Sequence, residues 1–391
     1  SVSTAGDVNG DEYADVIVGA SRYSNGETWE GRAFVYQGSA SGLGGTAVWT
    51  AEIDQADARL GASVSTAGDV NGDGYGDVIV GASLYGNGET HEGGAFVWLG
   101  SASGLGLNGT LANADWTAES DQASAYFGWS ASMAGDVNGD GYGDVIVGAY
   151  AYDNGQSNEG RAYVYYGSAS GLSGTAAWTA EGGQADAEFG YSVSAAGDVN
   201  GDGYADVIVG AFFYDNGETD EGGAFVWYGS ASGLGDDGTP ANADWGGESN
   251  ESQALFGASV STAGDVNGDG YADVIVGAYG YDNGKRDAGR AFVYYGSDSG
   301  LSVTAGWTAE GDQDYAYLGN SVSTAGDVNG DGYADVIVGA SLYSYFNHKE
   351  GMVFVWYGSA SGLGANGTLA NADWMAVGNQ KEAQLGSSVS T

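Results

Sequence analysis

Short apolar runs alternate with polar, glycine-rich stretches along the whole chain, and the alternation is periodic. Asp77-Val-Ile-Val-Gly-Ala82 is compact and apolar, the pattern of a strand buried on both faces. Ahead of it, residues 62–67 (Ala-Ser-Val-Ser-Thr-Ala) read as a short strand of β-branched and small residues. Ala95-Phe-Val-Trp-Leu99 reads as a third strand, and the stretch around Trp116-Thr-Ala-Glu119 as a fourth. Polar loops separate the four, with glycine at the junctions where turns need φ > 0. No segment shows a convincing helical period.

The phrase Gly-Asp-Val-Asn-Gly-Asp recurs six times, its first aspartate at 7, 69, 136, 198, 265 and 327. Units of several strands at a fixed period are the mark of propeller blades. The predicted fold is therefore all-β: one six-bladed β-propeller domain over residues 1–391, each blade a four-stranded antiparallel sheet. The blades fall at approximately 1–61, 62–128, 129–190, 191–257, 258–319 and 320–391. The spacing alternates between 62 and 67 residues, because five extra residues sit between strands three and four at 107–115, 236–244 and 365–373. Arg32, Arg161 and Arg290 precede strand three in the odd units, where the even units have Gly94, Gly223 and Met352. The building unit is thus expected to be a 129-residue blade pair, present three times.

The last four residues, Ser388-Val-Ser-Thr391, repeat Ser1-Val-Ser-Thr4. A closed ring has one place for that strand and two copies to fill it. One copy is frayed or locks the ring, or the chain is cut from a longer array. The chain starts without Met or a signal-peptide pattern, so it is expected to be a piece of something longer.

Composition narrows the function classes. Hydrophobic residues make up 42%, with 11 Trp, 27 Tyr and 11 Phe, which supplies a core and argues against disorder. Nine Lys and Arg against 52 Asp and Glu leave a net charge of −43. Such a surface repels nucleic acid and anionic lipid, and it calls for divalent countercharge. The absence of Cys removes disulfides, thiolate metal sites and a Cys nucleophile. No apolar run approaches the ~18 residues of a membrane span, so membrane insertion is not expected.

The recurring loops carry the chemistry. In Asp69-Val-Asn71-Gly-Asp73-Gly74-Tyr75-Gly-Asp77, side-chain oxygens stand at positions 1, 3, 5 and 9, with a carbonyl available at 7 and a glycine at 6 for the sharp turn. That is the ligand spacing of a hard cation, and a flexible set of carboxylates and carbonyls favours Ca²⁺ over Mg²⁺. The other candidate sets are Asp7, Asn9, Asp11, Tyr13 and Asp15; Asp136, Asn138, Asp140, Tyr142 and Asp144; and Asp198, Asn200, Asp202, Tyr204 and Asp206. Asp265, Asn267, Asp269, Tyr271 and Asp273 follow, then Asp327, Asn329, Asp331, Tyr333 and Asp335. Up to six ions are expected, one per blade, each joining strands one and two. Only the first loop departs, with Glu12 in place of the turn glycine. If that position needs φ > 0, Glu12 is strained and the first site is the weakest.

Phe127-Gly128, Phe189-Gly190 and Phe256-Gly257, each followed by an aspartate loop and Val-Ile-Val-Gly-Ala, resemble FG-GAP repeats of the integrin α-subunit propeller type. Leu60, Leu318 and Leu385 replace the Phe elsewhere, and the Pro of the family's Gly-Ala-Pro is missing from every unit. The resemblance implies Ca²⁺ in the loops between strands one and two. It also implies ligand contacts at the opposite face, through loops two-to-three and four-to-one. Integrin heads usually have seven blades and fewer metal loops, so a bacterial-type or standalone relative fits better.

At that opposite face, departures from the repeat point to a specific site. Lys285 and Arg286 in the fifth unit, with Tyr345, Phe346, Asn347, His348 and Lys349 in the sixth, form a basic and aromatic candidate patch for an acidic protein or glycan. Catalysis finds little support. His91 and His348 lie in separate loops, and the most organised carboxylates are committed to metal. The expected protein is an extracellular, secreted or cell-surface, calcium-binding adhesion or ligand-binding module and not an enzyme. The alternatives are a building block of a surface layer, stalk or filament, assembled head-to-tail or in tandem, and a glycan-active domain.

Overall fold

The strands lie where the apolar runs placed them, in a computed structural model that describes residues 1–346 and 348–390. Asn347 of the sixth-unit loop and Thr391 of the terminal repeat lie outside the described residues. Six four-stranded antiparallel sheets follow one another in chain order and form the blades of a propeller arrangement. Blade two is typical: Leu60–Gly68, Asp77–Ala82, Gly94–Trp98 and Trp116–Glu119, paired in sequence order. The 3₁₀ turn Leu111–Asn113 is the one helical element among the described residues. No helix there is long and apolar enough to cross a membrane.

The chain divides into two compact units, Ser1–Val193 with Ala231–Gly238, and Ser194–Ser230 with Thr239–Thr391. In the first unit, blade one runs Val2–Gly6, Asp15–Ala20, Arg32–Tyr36 and Trp49–Ala51. Its second strand buries alternate residues, whereas the same sequence in blades two and three is buried throughout. The sequence expectation of two-sided burial thus holds for blades two and three and in part for blade one. Each fully buried Val or Ile of these strands contributes about 1.5–3 kcal/mol.

The alternating loop length has a structural counterpart. The long loop of blade two lies along strand four of blade one, with Gly109 N–H on Thr50 O at 2.8 Å and Glu52 N–H on Gly109 O at 3.1 Å. Gly238 pairs with Thr179 and Glu181 in the same way. In the second unit, Gly367–Thr368 adds a parallel strand beside Trp307–Glu310. The arginines alternate for a related reason. Arg161 faces Glu181 across strands three and four, pairs with it at 3.0 Å, and lies 5.0 Å above the Tyr152 ring. Arg32 with Glu52, and Arg290 with Glu310, repeat the arrangement.

Within the second unit, blades five and six differ in exposure. Trp307 of blade five is buried and its Nε1–H donates to Ala365 O of blade six. The equivalent Trp374 of blade six is 50% exposed, and Val328 is 57% exposed where its counterparts Val8, Val70, Val137, Val199 and Val266 are buried. Both copies of the terminal repeat are placed. Val2 pairs with Val18 in blade one, and Val389 N–H donates to Ser321 Oγ, as Val322 does to Ser259 Oγ.

Candidate metal centre

Each aspartate loop closes on itself through backbone N–H groups. In blade two, Asp69 Oδ1 accepts from Gly72 N–H at 2.7 Å and from Asp73 N–H at 3.0 Å, while Oδ2 accepts from Gly74 N–H at 2.8 Å. Asn71 Oδ1 accepts from Asp73 N–H, Asn71 Nδ2–H donates to Asp73 Oδ2, and Asp73 Oδ1 accepts from Tyr75 N–H. The rim of the loop is therefore ordered by its own acids, which remain solvent-exposed.

The ninth-position aspartate behaves differently. Asp77 is fully buried, its Oδ2 accepting from Val70 N–H and its Oδ1 from Gly100 N–H, both at 2.8 Å. One side chain thus ties the loop's start to the residue beyond strand three. Asp15, Asp144, Asp206, Asp273 and Asp335 make the same pair of contacts. Burial pushes Asp77 up to about 7, the two N–H groups hold it down, and Asp69 and Asp73 push it up again. Asp144, Asp206 and Asp273 also reach about 7 for the same reasons, and Asp15 and Asp335 are raised. At Asp7, burial acts upward, but the N–H groups of Glu12, Asp11 and Gly10 outweigh it and hold the carboxyl below its ordinary value.

These residues fit a hard cation. All donors are oxygens, each carboxylate keeps at least one lone pair beyond its N–H bonds, and a buried carboxylate beside two others gains from a bound positive charge. Asp77 shows the fit most directly, because its ionised form is disfavoured until such a charge arrives. The three aspartates of a loop are nevertheless not the tightest acid cluster among the described residues. Glu92, Glu119 and Asp121, at the other end of blade two, bring carboxylate oxygens within 4.8 Å of one another. Asn87 N–H bonds Glu92 and Asn87 Nδ2–H bonds Glu119, so that cluster is held by amide donors.

Position 6 does require φ > 0. Gly74, Gly141, Gly203, Gly270 and Gly332 have φ of 89–93°, and Glu12 has φ of 70°. Its N–H still bonds Asp7 Oδ2 at 2.8 Å, so the first loop keeps the shape of the others while holding a side chain in a left-handed conformation.

At the opposite end, the structure brings part of the basic and aromatic patch together. His348 and Lys349 line a cavity of about 320 Å³ with Asp314, Tyr315, Tyr317 and Ser344. Arg286 lies 5.5 Å above the Tyr315 ring and 3.6 Å from Asp287. Tyr345 and Phe346 pack edge to face at 4.4 Å, with Phe346 78% exposed, and line no part of that cavity. Lys285 is exposed as well. Sequence reasoning passed over Arg22 and Arg59. Both break the repeat, at positions held by Leu84 and Tyr126 in the next unit, so the signal was present.

The FG-GAP repeat model matches residues 1–36, 60–98, 127–165, 189–227, 256–294 and 318–356, more than half of the chain. Among curated relatives, integrin alpha-5 of Xenopus laevis is 32% identical over 206 residues, covering 51% of this chain and 19% of its own length. Integrin alpha-V of Gallus gallus is 33% identical over 223 residues, covering 54% and 20%. Phosphatidylinositol-glycan-specific phospholipase D of Bos taurus is 31% identical over 219 residues, covering 50% and 24%. The chain thus spans about a quarter or less of the length of each. The solved structure of an exotype rhamnogalacturonan lyase, YesX, aligns over 93% of this chain and 56% of its own, with a TM-score of 0.44 and 14% identity.

Proposed function

The chain belongs to the FG-GAP repeat family, and on that premise we propose that it is a calcium-binding propeller acting outside the cell in adhesion or ligand binding. Positions 1, 3, 5, 7 and 9 of each loop would hold the ion, which supplies countercharge to the buried ninth aspartate. The observation that carries this reading is the contrast between the blade ends. One end repeats an oxygen-donor loop six times with positions 1, 3, 5, 7 and 9 unchanged; the other varies from blade to blade, which is where a partner would be recognised. The ligand is a protein or glycan at the end opposite the calcium loops, and the role is binding without catalysis.

Calorimetric calcium titration followed by capture on glycan and matrix-protein arrays tests it. The expected result is several bound ions per chain, a raised thermal midpoint and calcium-dependent capture. A protein that binds no calcium and captures nothing would overturn it. A second reading, a head-to-tail structural block, is favoured by the exposed apolar side chains of Val328, Trp374 and Met375 in blade six. Concentration-dependent polymers in sedimentation experiments would support that reading, and a monomer at all concentrations would remove it.

A further inference from the structure

Nine basic residues face 52 acidic ones, so an arginine without an acid partner is the unusual case. Arg32, Arg161 and Arg290 are paired across strands, and Arg286 and Lys381 with their chain neighbours. Among the described residues, Arg22 and Arg59 make no ion pair, and both line one cavity of about 290 Å³ in the first unit. Ser21, Ala62, Ser83 and Trp129 complete the lining.

Two polar atoms there make no hydrogen bond, although the Arg59 guanidinium lies 5.9 Å from the centroid of the Trp29 ring. Ser83 is 1% exposed and its Oγ makes no hydrogen bond, and Arg59 Nε is likewise buried without an acceptor. Buried donors in that state are unfavourable unless something fills the site. The donor set is specific: two guanidiniums and a hydroxyl, which match the planar fork of a carboxylate.

The wall beside them is aromatic. Trp129 packs edge-on against Tyr150 at 5.1 Å and lies 5.4 Å from Tyr191, while Tyr150 stacks on Tyr126 at 5.2 Å. Trp129 replaces Ala62 of the preceding unit, with Tyr191 at the same place in the next, and Tyr150 replaces Ser83 at a position that is also aromatic at Phe212 and Tyr279. Trp129 is the ring that lines the cavity, and a flat, half-buried indole suits a sugar ring better than a flexible acidic side chain.

We propose that this pocket binds an acidic glycan, with a uronate carboxylate between Arg22 and Arg59 and the sugar ring against Trp129. The proposal deepens the ligand-binding reading, on which it rests, by naming the chemistry of the ligand.

The test is calorimetric titration of the calcium-saturated protein with a uronate trisaccharide, its carboxyl-reduced counterpart and a tri-glutamate peptide. The uronate should bind at least tenfold tighter than the other two. Arg22→Gln and Arg59→Gln should each weaken it at least tenfold, and Trp129→Ala should weaken the uronate and the reduced sugar alike. Arg22 is exposed, so Arg22→Gln tests the site without disturbing the core; Lys381→Gln, exposed and away from the cavity, should change nothing. Equal binding of the reduced sugar, tighter binding of the peptide, or full affinity in both arginine variants overturns the proposal. The last of these is also the outcome of calcium bridging to the acidic surface. A failed titration here, with array capture intact, sinks the uronate pocket alone; loss of capture and of calcium binding sinks the broader reading.

Discussion

The two ends of the blades obey different rules. At the loop end, Asp69–Asp77 and its five relatives repeat both sequence and hydrogen bonding, down to the N–H groups on each ninth aspartate. At the other end, the position of Arg59 becomes Tyr126, Glu188, Leu255, Tyr317 and Gln384 in successive units, although every one of them keeps a positive φ. The backbone is therefore held constant at both ends, while side-chain chemistry is constant at only one. Uniform chemistry suits a shared ion and a shared structural need; varied chemistry on an invariant backbone suits recognition.

Calcium removal is the largest perturbation this contrast predicts. Each loop that binds calcium would contribute about 2.7 kcal/mol when the ion stands 100-fold above its dissociation constant. Chelation should lower the thermal midpoint more than any single substitution, and an unchanged midpoint breaks the metal assignment. Next comes Asp77→Ala, which strands two buried N–H groups and should cost about 3 kcal/mol in chelator. Exposed Asp73→Ala should cost under about 1 kcal/mol in the same denaturant melts; equal losses would erase the distinction between rim and buried acid.

At the variable end, burial and Asp186 raise Glu188 from 4.5 to about 7. Between those values the folded state binds more protons than the unfolded one, so stability falls as pH rises. Discounted for the partial exposure of Glu188, the loss is on the order of 2 kcal/mol from pH 4.5 to 8, and Glu188→Gln should flatten that part of the profile. Glu12→Gly should gain about 1 kcal/mol by relieving the left-handed side chain, and should tighten calcium at the first loop. A loss of stability would mean that Glu12 makes a contact worth more than its strain. Charge reversal of exposed Lys285 and Arg286 should leave stability within about 0.5 kcal/mol.

Much of the candidate site was legible in the chain itself. The ligand spacing of the loops, the odd first loop and the four strands per unit all follow from local pattern, because they depend on residues within ten or so positions of one another. The second role of Asp77 was not legible. Its partner Gly100 lies 23 residues away, and nothing in a loop motif signals that the last acid is buried. The purpose of the alternating arginine was equally hidden, since Arg161 and Glu181 meet only through the register of strands three and four.

The sequence by itself determined the number of blades, the strands in each and the oxygen-donor loops, since repetition and short-range chemistry encode them directly. Tertiary structure alone decided which faces are buried, as Trp307 and Trp374 show with like local sequence and opposite exposure. It also decided which isolated residues converge. Arg22, Arg59, Ser83 and Trp129 are spread over more than a hundred positions, and only the packing of successive blades brings them to one cavity. Burial and convergence are properties of neighbours in space, and a chain read in order does not contain them.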